Sequence, residues 1–288
     1  MKHISKHTSR RTFLRQTAAG AACVASVRSM DGFPLSLPIG IQSFDLTDRL
    51  RADFQGTLKT LSGYGYQWVD WLAGGRTTVP SVAAMPAKEV HKLFAAAGLA
   101  TYNVHFTWAD LHEGWAKTIQ EIHGYKATSV GCTTAPGRNK TAEDWKWHAE
   151  GLNALGEKTK REGVLTGYHP HPLEFTEVEG IIPWDLLLQT DPGVVKMQID
   201  VGACAVAGKD PEAYLTRYPG HYYSIHVKDV KDGKLGVAVG EGVLDWKKIL
   251  TAAQHAGLRH YVVETGASDD VVMDKTKRSI DYLRSFRI

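Results

Sequence analysis

The sequence predicts one large domain of the (β/α)8 barrel class, in which eight parallel strands alternate with eight helices. Short apolar runs alternate with longer segments whose apolar residues recur at helical spacing, a pattern that favours a parallel sheet. Eight such pairs fit into residues 39–288 at about thirty residues each, as a barrel requires. The competing doubly wound open sheet usually has fewer strands, and no glycine-rich dinucleotide fingerprint follows the first strand.

Each strand is predicted from a short apolar run bounded by turn residues. The first, 39–44, follows a segment that contains two prolines, and the second, 67–71, follows the glycines within 63–65. The fifth, 162–166, runs into 167–175, where two prolines interrupt regular strand pairing. The other strands are expected at 100–106, 127–132, 194–201, 222–227 and 260–264.

The predicted helices lie between these strands. In 50–62, the residues Leu50, Phe54, Leu58 and Leu61 form one apolar stripe. Thr141, with Asp144 three residues later, resembles a capping box and starts the longest helix. The full set of predicted helices is 50–62, 86–97, 115–123, 141–162, 183–189, 211–218, 244–256 and 274–286.

The N-terminal segment has a different composition from the predicted barrel. Residues 1–30 contain six Lys and Arg residues and no acid, so the net charge of +3 for the whole chain becomes −3 for residues 31–288. The run from Ser9 to Arg15, followed by a weakly apolar stretch, resembles the bacterial twin-arginine export signal. We therefore expect a signal at 1–30, a linker at 31–38 and the barrel at 39–288.

The signal and the charge together restrict localisation and partners. The resemblance implies contact with the twin-arginine translocation machinery during export and a periplasmic location for the mature protein. The mildly acidic body lacks the basic footprint of a nucleic-acid-binding protein, so we expect no nucleic-acid partner. The apolar part of the signal is too short to span a bilayer in the mature protein, so we also expect no stable membrane association.

The segment from Gly167 to Phe175 carries the densest group of candidate metal ligands. His169 and His171 are two residues apart, so they point to the same face of an extended chain, and Glu174 follows three residues later. Nitrogen and carboxylate donors on a stiff strand end suit a divalent metal. The alternative is a surface turn that carries two histidines, and this segment alone does not distinguish the two.

Other strand ends add further ionisable residues. In a barrel the carboxyl ends of all strands meet at one mouth, and there the sequence places His105, Asp200, His226, Lys228 and Glu264. Taken singly, each residue also has a structural explanation. Asp200 could cap the next helical turn, and His226 could be a buried core histidine. Glu264 could form an ion pair with Lys228 or Arg259. Taken together with the two histidines they favour a metal site. Histidine and carboxylate without thiolate are compatible with Mn²⁺, Co²⁺, Mg²⁺, Zn²⁺ or Fe²⁺.

These stretches resemble the xylose isomerase-like sugar isomerases and epimerases, a family of barrels. The resemblance rests on 167–175, Gln198–Val201, His226–Asp229, Gly240–Trp246 and Val262–Glu264. It implies that a Glu, an Asp, a His and a second Glu hold one divalent ion. Asp200, His226 and Glu264 carry over directly. At the usual position of the first Glu this sequence has His169, so either His169 or Glu174 supplies the fourth ligand, and we expect Glu174.

The resemblance also implies an activity. A metal-dependent isomerase or epimerase would remove the proton beside the carbonyl of an unphosphorylated sugar or keto-sugar, and an enediolate would form. Glu174, Glu264, His169 and His171 are the candidate proton-transfer groups. His105, Lys228 and Trp108 are the candidate substrate contacts, and Phe44 is one of several other aromatic residues that could stack on a sugar.

Two other functions share the same residues. Elimination from a 3-keto-glycoside would use the same enolate chemistry in a lyase or hydrolase. A periplasmic sugar-binding barrel would bind a sugar in the cavity and would not catalyse a reaction. A nuclease is disfavoured, because it needs a richer metal cluster and contacts to phosphate.

Overall fold

The computed structural model describes residues 38–74, 79–266 and 270–285. Eight parallel strands form a closed barrel in the order β1-β10-β7-β6-β5-β4-β3-β2, which confirms the predicted fold class. The barrel strands are β1 Ile39–Gln42, β2 Trp68–Leu72, β3 Asn103–His105, β4 Ser129–Cys132, β5 Leu165–Tyr168, β6 Val195–Asp200, β7 Tyr222–Val227 and β10 His260–Val263. The predicted signal, and the linker up to residue 37, lie outside the described residues.

Helices cover the outside of the barrel and follow the predicted spacing. They are α1 Thr47–Ala52, α2 Phe54–Tyr64, α3 Pro80–Ala83, α4 Ala87–Ala96, α5 Trp108–His112, α6 Trp115–Gly124, α7 Ala142–Lys160, α8 Pro183–Leu187, α9 Val201–Val206, α10 Pro211–Arg217, α11 Trp246–His255 and α12 Val272–Ser285. The predicted capping box of α7 is present, because Thr141 and Asp144 bond each other's backbone N–H groups. Large buried residues such as Trp145, Trp184 and Trp246 pack between the helices and the barrel.

Several features were absent from the predicted set of elements, including the short helices α3, α5 and α9. An antiparallel hairpin, β8 Asp229–Lys231 and β9 Lys234–Val237, follows β7. The first predicted helix is divided at Asp53, which ends α1 and caps α2 by accepting a hydrogen bond from Gly56 N at 2.9 Å. The hairpin extends beyond the end of β7 and so adds a wall to the barrel mouth.

In the described part of the chain, no helix has both the length and the apolarity that a bilayer span needs.

Candidate active site

Four potential metal ligands meet at the carboxyl end of the barrel. Asp200 and His226 end neighbouring strands and are paired in register, while His169 and Glu264 directly follow β5 and β10. One donor atom from each residue lies within 4.8 Å of the others, and all four residues are buried. We call this group the donor set. Parallel strands in a closed barrel bring these positions together although they are separated by many residues in sequence.

A lysine ammonium lies between the two carboxylates of the donor set. Lys228 Nζ is 2.9 Å from Asp200 Oδ2 and 2.9 Å from Glu264 Oε2. Asp200 also caps α9, since its Oδ1 accepts a hydrogen bond from Ala203 N at 2.8 Å. Burial disfavours ionisation of Glu264, but Lys228 and His226 outweigh burial and hold the pKa of this carboxyl well below its usual range.

A second network of hydrogen bonds, centred on Asp70, orients His226. Asp70 lies at the centre of β2 and is fully buried, and its Oδ2 is 3.2 Å from His226 Nε2. Asn103 and Gln198 donate hydrogen bonds to Asp70 at 2.7 and 3.0 Å, and His105 Nε2 is 3.1 Å from it. Such a carboxylate fixes the ring orientation of a metal-binding histidine. Sequence reasoning missed Asp70, although a lone acid within the apolar run Trp68–Leu72 is a visible signal.

His226 bridges the two networks. Its Nδ1 is 2.7 Å from Glu264 Oε2, while its Nε2 faces Asp70. Burial lowers the pKa of His226, but the hydrogen bonds and negative charges of Asp70 and Glu264 outweigh burial and raise it to about 9. The imidazolium and the Lys228 ammonium therefore offset part of the negative charge of Asp70, Asp200 and Glu264.

The residues of the donor set fit a divalent cation. His169 is 7% exposed, and its buried Nδ1 has no hydrogen-bond partner in the structure. Burial is the main cause that lowers the pKa of His169, and the neighbouring His226, His171, His105 and Lys228 lower it further, so the ring stays neutral, as a metal ligand must be. The ammonium between Asp200 and Glu264 shows that this position accepts positive charge.

Glu174 lies outside the donor set, in the short 3-10 helix Pro172–Phe175. The buried carboxylate accepts hydrogen bonds from Thr134 Oγ1 at 2.8 Å, Tyr168 OH at 2.7 Å and His171 N at 2.8 Å. These partners occupy both of its oxygens and hold it outside the donor set. The structure therefore brings His169, rather than Glu174, together with Asp200, His226 and Glu264, while the choice of Glu174 as the fourth ligand stays a prediction. Glu174 fixes the turn that carries His171.

A cavity of about 330 Å³ opens beside the donor set. Its lining residues are Gln42, Phe44, Asp45, Leu72, His105, Thr133, His169, His171, Lys228, Leu235, Glu264 and Gly266. This volume lies in the range of small-molecule sites. Phe44 is 49% exposed and offers a ring face to a ligand.

The cavity contains some of the predicted substrate contacts but not all of them. His105 and Lys228 line it, as does His171, whose ring centroid is 5.1 Å from that of His169. Trp108 does not line it, because its ring is buried against His112, Trp147 and His148, with centroids 4.1, 5.1 and 4.9 Å away. Asp45 lines the cavity and was missed from sequence.

The family of the chain follows from a match to the model described as xylose isomerase-like TIM barrel, which covers residues 58–286. The chain belongs to this family. It is 29% identical over 149 residues to an inosose dehydratase of Lacticaseibacillus casei, an alignment that covers 45% of this chain and 49% of the relative. The chain thus spans about half the length of that curated relative.

Solved structures share the fold over most of the chain. A sugar phosphate isomerase/epimerase from Parabacteroides distasonis superposes with a TM-score of 0.76 at 24% identity and covers 91% of this chain and 96% of its own. The IolI protein, solved with a bound zinc atom, gives a TM-score of 0.64 at 13% identity and covers 86% of this chain and 96% of its own. These solved structures therefore share the barrel fold with this chain, and one of them contains a bound zinc atom.

Proposed function

We propose that this protein is a divalent-metal-dependent isomerase or epimerase of a neutral sugar, which removes a proton beside a carbonyl and returns it. The observation that carries the proposal is the position of the donor set at the wall of a sugar-sized cavity that also contains His171 and Lys228. Membership in a family of sugar isomerases, epimerases and dehydratases supports the same reaction class.

The ion would be held by His169, Asp200, His226 and Glu264. When bound, a divalent ion supplies Lewis-acid stabilisation of the negative charge that develops on a sugar oxygen. Asp70 keeps its contact with His226 Nε2 and so holds the imidazole in orientation. The carboxylates of Asp200 and Glu264 fix the ammonium of Lys228 at the cavity wall, where it can bind a substrate oxygen.

His171 is the best candidate for the first proton transfer. Three of the four predicted groups are committed: His169 and Glu264 to the donor set, and Glu174 to its hydrogen bonds with Thr134, Tyr168 and His171 N. His171 lines the cavity, is exposed to solvent and lies outside the donor set. Histidine is the side chain that most often serves as a general base, and the position of His171 at the cavity suits that role.

The charge of the cavity favours an unphosphorylated substrate. Among the residues that the structure describes, Lys228 is the only lysine or arginine that lines it, and its ammonium already contacts two carboxylates. A phosphate group would need unpaired cations or a cluster of backbone N–H donors. A neutral ketose or cyclic keto-polyol makes no such demand, since its hydroxyls can bond to His105, Thr133 and Gln42.

Elimination is the second candidate reaction. It is favoured by the curated relatives, which are named inosose dehydratases. Abstraction of the proton beside the carbonyl is shared with isomerisation, and the reactions diverge only when a leaving group departs from the neighbouring carbon. Keto-sugars and 3-keto-glycosides are therefore both suitable test substrates.

The experiment is exchange of substrate C–H for deuterium in D2O, followed by NMR on D-fructose, D-tagatose, an inosose and a 3-keto-glucoside, with the bound metal measured in parallel. We expect exchange on at least one compound by the metal-loaded protein. Asp200→Ala should lose both metal and exchange. Asp210→Ala is the matched control, because Asp210 also caps a helix but lies outside the site. Metal-loaded protein that binds a sugar without exchange would instead support a binding barrel.

A further inference from the structure

Asp45 is a buried carboxylate at the cavity that has no part in the donor set. It lies in the loop between β1 and α1, is only 4% exposed and lines the cavity. Its Oδ2 accepts hydrogen bonds from Thr265 N at 2.8 Å, Thr265 Oγ1 at 2.9 Å and Gly266 N at 2.7 Å. The loops after β1 and β10 are joined by these contacts, which immobilise the carboxyl group.

The hydrogen bonds engage one oxygen of Asp45 and leave the other available. All three contacts use Oδ2, and within the described part of the chain Oδ1 accepts no hydrogen bond. The buried carboxylates of Asp229 and Glu174, by contrast, accept hydrogen bonds on both oxygens. Asp45 therefore combines a fixed position with a free oxygen at the cavity.

Asp45 and His171 approach the cavity from opposite sides. Around the closed barrel, β1 and β5 are separated by four steps in either direction, which is half of the eight-strand ring. Asp45 follows β1 and His171 follows β5, and both line the same cavity. A sugar bound between them would have one ionisable group on each face, which is the arrangement that epimerisation by two groups requires, since the proton leaves one face of the carbon and returns to the other.

We propose that Asp45 is the second proton-transfer group of this enzyme and that it acts opposite His171. This inference rests on the proposed function. His171 takes the proton from carbon, and the C–H electron pair enters the enediolate. Asp45, in its acid form, then gives its proton to the substrate. At carbon this completes isomerisation or epimerisation, and at a departing oxygen it completes elimination. In isomerisation a proton also moves from one of the two neighbouring substrate oxygens to the other. His171 then releases its extra proton to solvent and Asp45 takes one from solvent, so charge and atoms balance.

The electrostatic surroundings of Asp45 suit this role. Burial and the negative charge of Glu264 raise the pKa of Asp45, while the positive charge of Lys228 and the hydrogen bonds from Thr265 and Gly266 lower it, and the result is about 6. Both the acid and its conjugate base are therefore accessible near neutral pH. The geometry alone already places the group at the substrate position.

The test separates the two proton transfers. In Asp45→Asn, product formation should fall by roughly 10²–10⁴-fold, the usual contribution of a general acid. Deuterium exchange at the substrate carbon should persist, because exposed His171 can trade its proton with solvent and return deuterium to the same carbon. Bound metal should stay at the wild-type level, because Asp45 is outside the donor set.

Asp110→Asn is the matched control. Asp110 Oδ2 also accepts from a threonine backbone N and hydroxyl, those of Thr107 at 3.0 and 2.6 Å, but it does not line the cavity. It should behave as wild type. As a second variant, Asp45→Ala should regain product formation when formate is added at mildly acidic pH, because formic acid can occupy the vacated space and donate a proton.

Three results would overturn the role of Asp45: product formation by Asp45→Asn at the wild-type rate, equal loss of exchange and product with metal retained, or failure of formate to rescue Asp45→Ala. If the metal-loaded wild-type protein exchanges no substrate C–H, the proposed function itself fails. If the wild-type protein does exchange substrate C–H and Asp45→Asn forms product at the wild-type rate, only the role of Asp45 fails.

Discussion

His226 is the residue that connects Glu264 of the donor set to the buried Asp70. Its two ring nitrogens face two different carboxylates, Glu264 at 2.7 Å and Asp70 at 3.2 Å. As a metal ligand His226 would be a neutral ring with one N–H group, and Asp70 would fix the orientation of that ring. The buried Asp70 thus belongs to the site although no sugar can reach it.

A pair of single substitutions tests whether His169 or Glu174 is the fourth metal ligand. His169→Ala removes the unpartnered imidazole, so the affinity for metal should fall by more than the roughly 10–100-fold typical of losing an outer partner. Glu174→Gln should keep its metal, since Glu174 lies outside the donor set. Titration with Zn²⁺ or Mn²⁺ by calorimetry measures both variants.

The substitution Glu174→Gln should instead lower the stability of the fold. Glutamine at 174 cannot accept all three hydrogen bonds from Thr134, Tyr168 and His171 N, so unfolding should become easier by about 1–3 kcal/mol. Loss of metal by Glu174→Gln, with retention by His169→Ala, would return the ligand role to Glu174.

At the level of elements, the loop that follows the β8–β9 hairpin depends on one buried carboxylate. Asp229 is fully buried, and its oxygens accept hydrogen bonds from Val230 N and Gly240 N at 2.8 Å each and from Trp246 Nε1 at 2.8 Å. Gly242 N adds a fourth contact at 3.2 Å. Asp229 is adjacent to Lys228 in the chain, so this loop also supports the wall of the cavity.

Substitution of Asp229 should therefore destabilise the fold. In Asp229→Asn an amide NH2 replaces one acceptor and faces donors, which should lower the free energy of unfolding by about 3 kcal/mol. Asp232→Asn is the control: Asp232 is exposed at the hairpin turn with φ of 52°, a conformation that asparagine tolerates. Its change should stay within about 0.5 kcal/mol. Thermal or urea unfolding measures both, and equal stability of the two variants would contradict the argument.

At the scale of the whole molecule, the periodic pattern predicted the barrel because strands and helices repeat regularly and every strand buries an apolar run. The ring of Asp200, His226 and Glu264 was predictable because parallel strands end at the same edge. The position of Glu174 was not, since it is set by Thr134 from the loop after a neighbouring strand. Asp45 was missed for the same reason: its partners Thr265 and Gly266 are about 220 residues away in sequence.

Export is the prediction that concerns the whole chain. The six basic residues of 1–30 precede a body with a net charge of −3, and we propose that Arg10 and Arg11 direct the protein through the twin-arginine pathway. Replacement of both by lysine keeps the charge and should retain the protein in the cytoplasm of a Gram-negative host. Arg28→Lys, outside the arginine pair, is the control and should still be exported. Fractionation followed by immunoblotting measures the distribution. Because this pathway carries folded proteins, exported wild type should already contain its metal, and periplasmic accumulation of the double-lysine variant would argue for a different route.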